Sequence, residues 1–183
     1  MRVIAGNYKG LPLKSLPNNH TRPTGDKVKE SLFQMLGPFF PGGLMLDLYG
    51  GSGSIAIEAI SRGMKHAVIV ENYPSAQKII EENIKKTGSA DNFTLLKMDA
   101  KMAIYQLDDI FDLIFLDPPY AQQDILADMA ALATHHLVGK GRLVVCETVQ
   151  SVELPNVIHS FKKITKKNYG VTALHFYRNE EKE

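Results

Sequence analysis

One cysteine, Cys146, stands in a chain of 183 residues. No disulfide framework can form within such a chain, and a reducing cytoplasm fits that usage. Cys146 lies in the apolar run Leu143-Val144-Val145-Cys146 and reads as a core residue. No apolar run is long enough to span a membrane. The N-terminus, Met1-Arg2-Val3-Ile4-Ala5-Gly6-Asn7, turns polar too soon for a secretory segment. Internal repeats and low-complexity stretches are absent. So is a cluster of metal ligands: His135 and His136 adjoin a helix end with no second ligand group, and read as helix-terminal polar residues. Acid is absent from residues 154–179, which carry five Lys/Arg.

What is present is ordinary in amount and uneven in place. Hydrophobic residues make 44% and charged residues 22% of the chain, as in a globular protein with a full core. Net charge is +1. Residues 1–30 hold a balance of +4, and residues 31–153 a balance of −6. Basic ends around an acidic middle suggest an anionic partner at the ends. Solvated surface lysines are the alternative for the C-terminal ones.

Two β-like pieces, Arg2-Val3-Ile4-Ala5 and Leu11-Pro12-Leu13, predict a small N-terminal hairpin over residues 1–24. Residues 25–183 then form the main domain. Val28, Leu32, Phe33 and Leu36 have helical spacing. From Leu44 strands and helices alternate. Strands are expected at Leu44–Leu48, Ala67–Val70, Phe93–Lys97, Phe111–Leu116 and Leu143–Glu147. Helices are expected at Ser54–Arg62, Pro74–Lys86, Lys101–Leu107 and Asp124–Thr134. Two last β pieces, Ile158–Thr165 and Val171–Tyr177, flank the hairpin signal Asn168-Tyr169-Gly170. Continuous apolar strands alternating with helices predict an α/β fold with a parallel sheet, ending in an antiparallel strand.

Asp47-Leu48-Tyr49-Gly50-Gly51-Ser52-Gly53 ends the first strand and opens a helix. Its glycines let a ligand approach the backbone, and the helix start offers free N–H donors. Glu71 ends the second strand, where an acid can accept both hydroxyls of a ribose. The pattern fits a dinucleotide and it fits S-adenosylmethionine. Asp47 favours the second, because a carboxylate there repels a pyrophosphate and attracts an ammonium and a sulfonium. A tight turn with no ligand is the plainer alternative. Asp99, after the third strand, can accept the adenine amino group or cap the next helix.

Asp117-Pro118-Pro119-Tyr120 follows the fourth strand. An exocyclic amine on a nucleobase is a poor nucleophile, because its lone pair is delocalised into the ring. The Asp117 carboxylate and the Pro118 carbonyl can accept its two hydrogens and free that pair. The prolines fix the carbonyl direction. Tyr120 can stack on the base. A strand-ending turn without chemistry is the alternative.

These residues resemble the amino-methyltransferase branch of the class I S-adenosylmethionine-dependent methyltransferases. More specifically the chain resembles the RsmD family, which methylates N2 of guanine in small-subunit ribosomal RNA. The resemblance runs through Arg2–Gly6 with Lys9-Gly10, Arg22-Pro23-Thr24 and Val28-Lys29-Glu30-Ser31-Leu32-Phe33. It continues in Leu46–Gly53, Glu58-Ala59-Ile60-Ser61-Arg62-Gly63, Glu71, Asp117–Tyr120 and Tyr169-Gly170-Val171-Thr172. Tyr49-Gly50 departs mildly from the family's usual Phe-Ala.

The resemblance implies a Rossmann-like, seven-stranded, mostly parallel sheet with its last strand antiparallel. It implies S-adenosylmethionine held by Asp47, Tyr49, Gly50, Gly51, Ser52, Gly53, Glu71, Asn72, Asp99 and Ala100. Asp117, Pro118, Pro119 and Tyr120 would orient the guanine. Arg2, Lys9, Arg22 and Thr24 would meet the RNA. The expected partner is ribosomal RNA or the small ribosomal subunit, met by a cytoplasmic monomer with no metal and no membrane. The rival activities are a DNA adenine or cytosine amino-methyltransferase, a dinucleotide oxidoreductase, and an RNA-binding module without catalysis.

Overall fold

A computed structural model describes residues 1–17, 24–119 and 121–182. The chain divides into two compact units, Met1–Ala100 and Lys101–Glu183.

The first unit contains helix α1 (Asp26–Leu36), strand β1 (Leu44–Asp47), helix α2 (Ser54–Ser61), strand β2 (His66–Val70), helix α3 (Pro74–Thr87) and strand β3 (Phe93–Leu96). The strands run in the order β3-β2-β1, all parallel. Asp47 pairs with Ile69 and Val70 with Leu96, so the carboxyl ends of the three strands are level. Strand residues Met45, Leu46, Ala67, Ile69 and Val70 are buried, as expected of strands covered on both faces. α3 starts on Pro74 and ends at Gly88, whose φ of +69° supplies the left-handed cap. α2 is buried along its whole length, so its polar members Ser54, Glu58 and Ser61 must be satisfied inside the protein.

The N-terminal segment lies on α2. The two N-terminal pieces pair as a short antiparallel hairpin: Val3 N donates to Leu11 O, Gly10 N to Val3 O and Leu13 N to Met1 O, around the bridge Arg2 to Pro12. The donors that this pairing leaves over go to α2. Ile4 N and Ala5 N donate to the Glu58 carboxylate, Asn7 N donates to Ser61 O, and Tyr8 N to Ser61 Oγ. Gly6 sits so close that a Cβ there would lie 1.9 Å from Ser61 O.

The second unit contains α4 (Ala100–Gln106, its first residue closing the first unit), β4 (Phe111–Leu116), α5 (Ala121–Thr134), β5 (Val138–Val149), β6 (Val157–Ile158), β7 (Phe161–Tyr169) and β8 (Thr172–Asn179). The order is β4-β5-β8-β7-β6. β4 and β5 are parallel, whereas β8 runs antiparallel to both β5 and β7. The antiparallel last strand is therefore present. Among the described residues the strands number eight where seven were expected. The expected strand Ile158–Thr165 is broken at His159-Ser160, where His159 adopts a φ of +52° and separates β6 from β7. β5 is also longer than Leu143–Glu147, because it begins at Val138 with a register shift against β4. Across both units the fold is a Rossmann-like α/β fold. Among the described residues no helix is long and apolar enough to cross a membrane.

Candidate active site

The cofactor candidates collect at the level carboxyl ends of β1, β2 and β3. Asp47 is the last residue of β1 and only 1% exposed. Gly50 N donates to Val70 O at 2.8 Å, which folds the glycine loop back over β2. A Cβ on Gly50 would lie 2.4 Å from Ile69 Cγ2, so an alanine here would need Ile69 to shift. Gly51 has a φ of +59° and nothing within 4 Å of where a Cβ would be. Gly53 caps α2 in the left-handed conformation. Tyr49 and Ser52 are half-buried, Asn72 and Asp99 exposed, and Ala100 buried.

Glu71 organises this loop. Its Oε2 accepts from Gly51 N at 2.9 Å and its Oε1 from Tyr73 N at 2.8 Å. Each oxygen then keeps a further acceptor position. Two spare acceptors on one half-buried carboxylate match the two hydroxyls of a ribose. Open space over Gly51, donors at the start of α2 and a buried carboxylate at Asp47 complete a cradle for a cationic amino-acid tail. These residues fit S-adenosylmethionine. A dinucleotide's pyrophosphate would face Asp47 without a compensating cation in the loop.

The acceptor candidates belong to the second unit. β4 is buried from Leu113 to Leu116, and the chain leaves it at Asp117. Asp117 is half-buried, Pro118 buried and Pro119 exposed. Tyr120 lies outside the described residues, as does Arg22. Arg2 and Lys9 are exposed in the N-terminal segment, and Thr24 is half-buried ahead of α1. Among the described residues no group of three His, Cys, Asp or Glu could hold a metal ion.

The sequence reading assigned no role to a set of buried polar residues behind the cradle. Glu58 is fully buried between two cations, with Arg62 Nε at 2.8 Å and Lys29 Nζ at 3.3 Å. Lys29 also donates to Arg2 O at 2.7 Å, and Arg62 to Pro38 O at 3.1 Å. The Arg62 guanidinium lies 4.9 Å from the centre of the Phe33 ring. Burial pushes the Lys29 ammonium below the ordinary lysine range, opposed by Glu58. Asn83 is buried in α3 and donates to both Ser52 O and Lys14 O, while its Oδ1 accepts from Lys14 N. It thus ties the glycine loop to the N-terminal segment. The available signal was a polar residue within an apolar helical stripe, Ala76, Ile80 and Ile84.

Comparison with known proteins finds relatives over nearly the whole chain. The family profile described as "Conserved hypothetical protein 95" matches residues 1–178. A Bacillus subtilis protein named "Putative rRNA methyltransferase YlbH" is 37% identical over 181 residues, covering 97% of this chain and 98% of that one. The Haemophilus influenzae "Ribosomal RNA small subunit methyltransferase D" is 28% identical, covering 98% and 94%. A solved structure, "Putative methyltransferase yhhF from Escherichia coli", superposes with a TM-score of 0.87 at 26% identity, covering 100% of this chain and 99% of that one.

Proposed function

Because the chain belongs to the Conserved hypothetical protein 95 family, the RsmD type of class I methyltransferase, we propose that its target is the exocyclic 2-amino group of a guanine in small-subunit ribosomal RNA. The protein is an enzyme that methylates ribosomal RNA with S-adenosylmethionine as methyl donor. The observation that carries the reading is Glu71, which holds the glycine loop through Gly51 N and keeps acceptors for a ribose.

S-adenosylmethionine, when bound, supplies a methyl group on a sulfonium that leaves as a neutral thioether. The chain's own residues do the rest. Asp47 faces the cationic tail, Glu71 accepts from the ribose, and Asp99 accepts from the adenine amine. The Asp117 carboxylate and Pro118 carbonyl accept the two hydrogens of the guanine amine. This draws the lone pair out of the ring and places it for attack. The gain is positional and electrostatic. Tyr120, assigned from the sequence, stacks on the base, and Pro119 stiffens the turn between them. Arg2, Lys9, Arg22 and Thr24 meet the RNA. A base within a duplex must be flipped out first.

Attack on a sulfonium methyl needs no Lewis acid, so the reading assigns no metal. It takes the enzyme as a monomer working in the cytoplasm, where its lone buried cysteine stays reduced. The test is transfer of labelled methyl from S-adenosylmethionine to small subunits lacking the modification, followed by digestion to nucleosides. Label in N2-methylguanosine is expected. Label in another nucleoside, or full activity in Asp117→Ala, overturns the proposal. Labelling of duplex DNA in preference to ribosomal particles would point to the DNA amino-methyltransferase alternative.

A further inference from the structure

We propose that the tip of the β7–β8 hairpin, with the end of β5, binds the RNA nucleotides that flank the target base. The inference rests on the reading of ribosomal RNA as substrate. Its residues are Lys167, Asn168, Tyr169, Val171 and Val149.

Strand register places them. Leu116, the last residue of β4, is level with Cys146 of β5. Cys146 is opposite His175 of β8, and β5 runs on to Val149, opposite Thr172. Tyr169 of β7 is opposite the same Thr172. The hairpin tip therefore rises past the end of β4 by three residues, about 10 Å at the usual strand rise. It does so at the end of the sheet from which Asp117 and Pro118 leave. β8 is separated from β4 by β5 alone and β7 lies one strand further, so the tip stands two to three strand spacings, roughly 10 to 14 Å, to the side of the acceptor loop.

The tip has the composition of an RNA contact. Val149 is 58% and Val171 53% exposed, and Lys167 and Asn168 are exposed beside them. Apolar and aromatic surfaces take base and sugar faces, and a lysine takes phosphate. No acid occurs between residues 154 and 179, which favours a polyanion over a protein partner. Lys166 is already used. Its Nζ reaches Gln150 O at 3.0 Å, Val152 O at 3.3 Å and the Glu153 carboxylate. Gln150 N donates to Val171 O at 2.7 Å. These bonds brace the tip, and Lys167 makes no ion pair among the described residues. Its charge is left for an outside anion.

The experiment measures binding of full-length protein to small ribosomal subunits and to protein-free small-subunit RNA, alongside methylation. Lys167→Glu with Val171→Asp should raise Kd about tenfold for both probes. Lys167→Gln alone should lower the slope of log affinity against log salt by about 0.7 to 0.9, the value for one lost phosphate contact. Turnover at saturating particle should stay within about twofold of the unmutated enzyme, which separates this role from a structural one. Unchanged Kd and salt slope overturn the proposal. So does weaker binding to particles with unchanged binding to bare RNA, which would make the tip a contact for ribosomal protein. Lost turnover at unchanged Kd overturns it as well. An unmutated protein that binds RNA but transfers no methyl would remove the reading of function and leave the tip measurable by affinity.

Discussion

Glu58 and Glu71 lie in the same unit and meet opposite surroundings. Glu58 is fully buried and accepts from Lys29, Arg62, Ile4 N and Ala5 N. Glu71 is half-buried and, among the described residues, accepts from the backbone at Gly51 N and Tyr73 N. The first carboxylate is filled with donors and closed to solvent, so it fastens the N-terminal segment and α1 to α2. The second keeps acceptor capacity at a strand end, so it can hold a ligand. The difference teaches that a carboxylate's role is read from what its remaining lone pairs can reach.

The largest effect should come from emptying the filled site. Glu58→Ala leaves two buried cations without their anion, and loss of one partner of a buried ion pair costs about 3–5 kcal/mol. Urea unfolding checks this, and a loss under about 1 kcal/mol would mean the cluster is not a structural fastening. Next comes the acceptor carboxylate of the second unit. Asp117→Ala should lower turnover about 10²- to 10³-fold, as loss of a positioned transition-state contact does elsewhere. Its cofactor Kd, by calorimetry, should be unchanged.

Glu71→Ala should produce a smaller and differently placed loss. Cofactor affinity should fall on the order of tenfold to a hundredfold, since hydrogen bonds to charged groups contribute about 1.5–3 kcal/mol. Its unfolding free energy should fall by much less than that of Glu58→Ala. Equal losses of stability in the two variants would erase the contrast between them.

The smallest effect concerns a buried histidine of β8. His175 is fully buried against Thr148, with Nε2 2.9 Å from Oγ1. Burial pulls its pKa down from 6.5 to about 4, aided by Lys163 and Lys166. Above pH 6.5 the imidazole is neutral folded or unfolded, and the stability it allows is complete. As pH falls from 6.5 towards 4 only the unfolded chain takes up the proton, so stability is lost across that window. His175→Gln should flatten this part of the fall in Tm with pH. An unaltered profile would assign the fall to other groups.

Much of this was legible because it is local. Gly53, Pro74 and Gly88 mark helix ends by backbone requirements that no distant residue changes, and the structure places them there. The apolar run at Phe111–Leu116 became a strand with those bounds. The cradle was readable because its residues adjoin strand ends. What escaped was long-range or marginal. The partners of Glu58 lie 54 and 29 residues away at Ile4 and Lys29, and periodicity carries no trace of such a contact. The N-terminal pieces pair with each other as their composition suggests, but composition does not show that the donors left over are captured by α2. The break at His159-Ser160 has neither glycine nor proline to announce it. Arg22 and Tyr120 were legible as motif residues and lie outside the described residues.

The fastening of residues 1–14 has a consequence for the order of assembly during synthesis. Ile4 leaves the ribosome long before Glu58, and Lys14 long before Asn83, with which it makes two backbone-to-amide hydrogen bonds. At about 5–20 residues per second, the segment made first waits on the order of ten seconds for its docking helices. Its contacts with α2 can form once Ser61 has emerged, before β2, α3 and β3 are made, and those of Lys14 only after Asn83. Bulk placed between residues 4 and 8 would meet α2 at that early stage, as a misfit against Ser61.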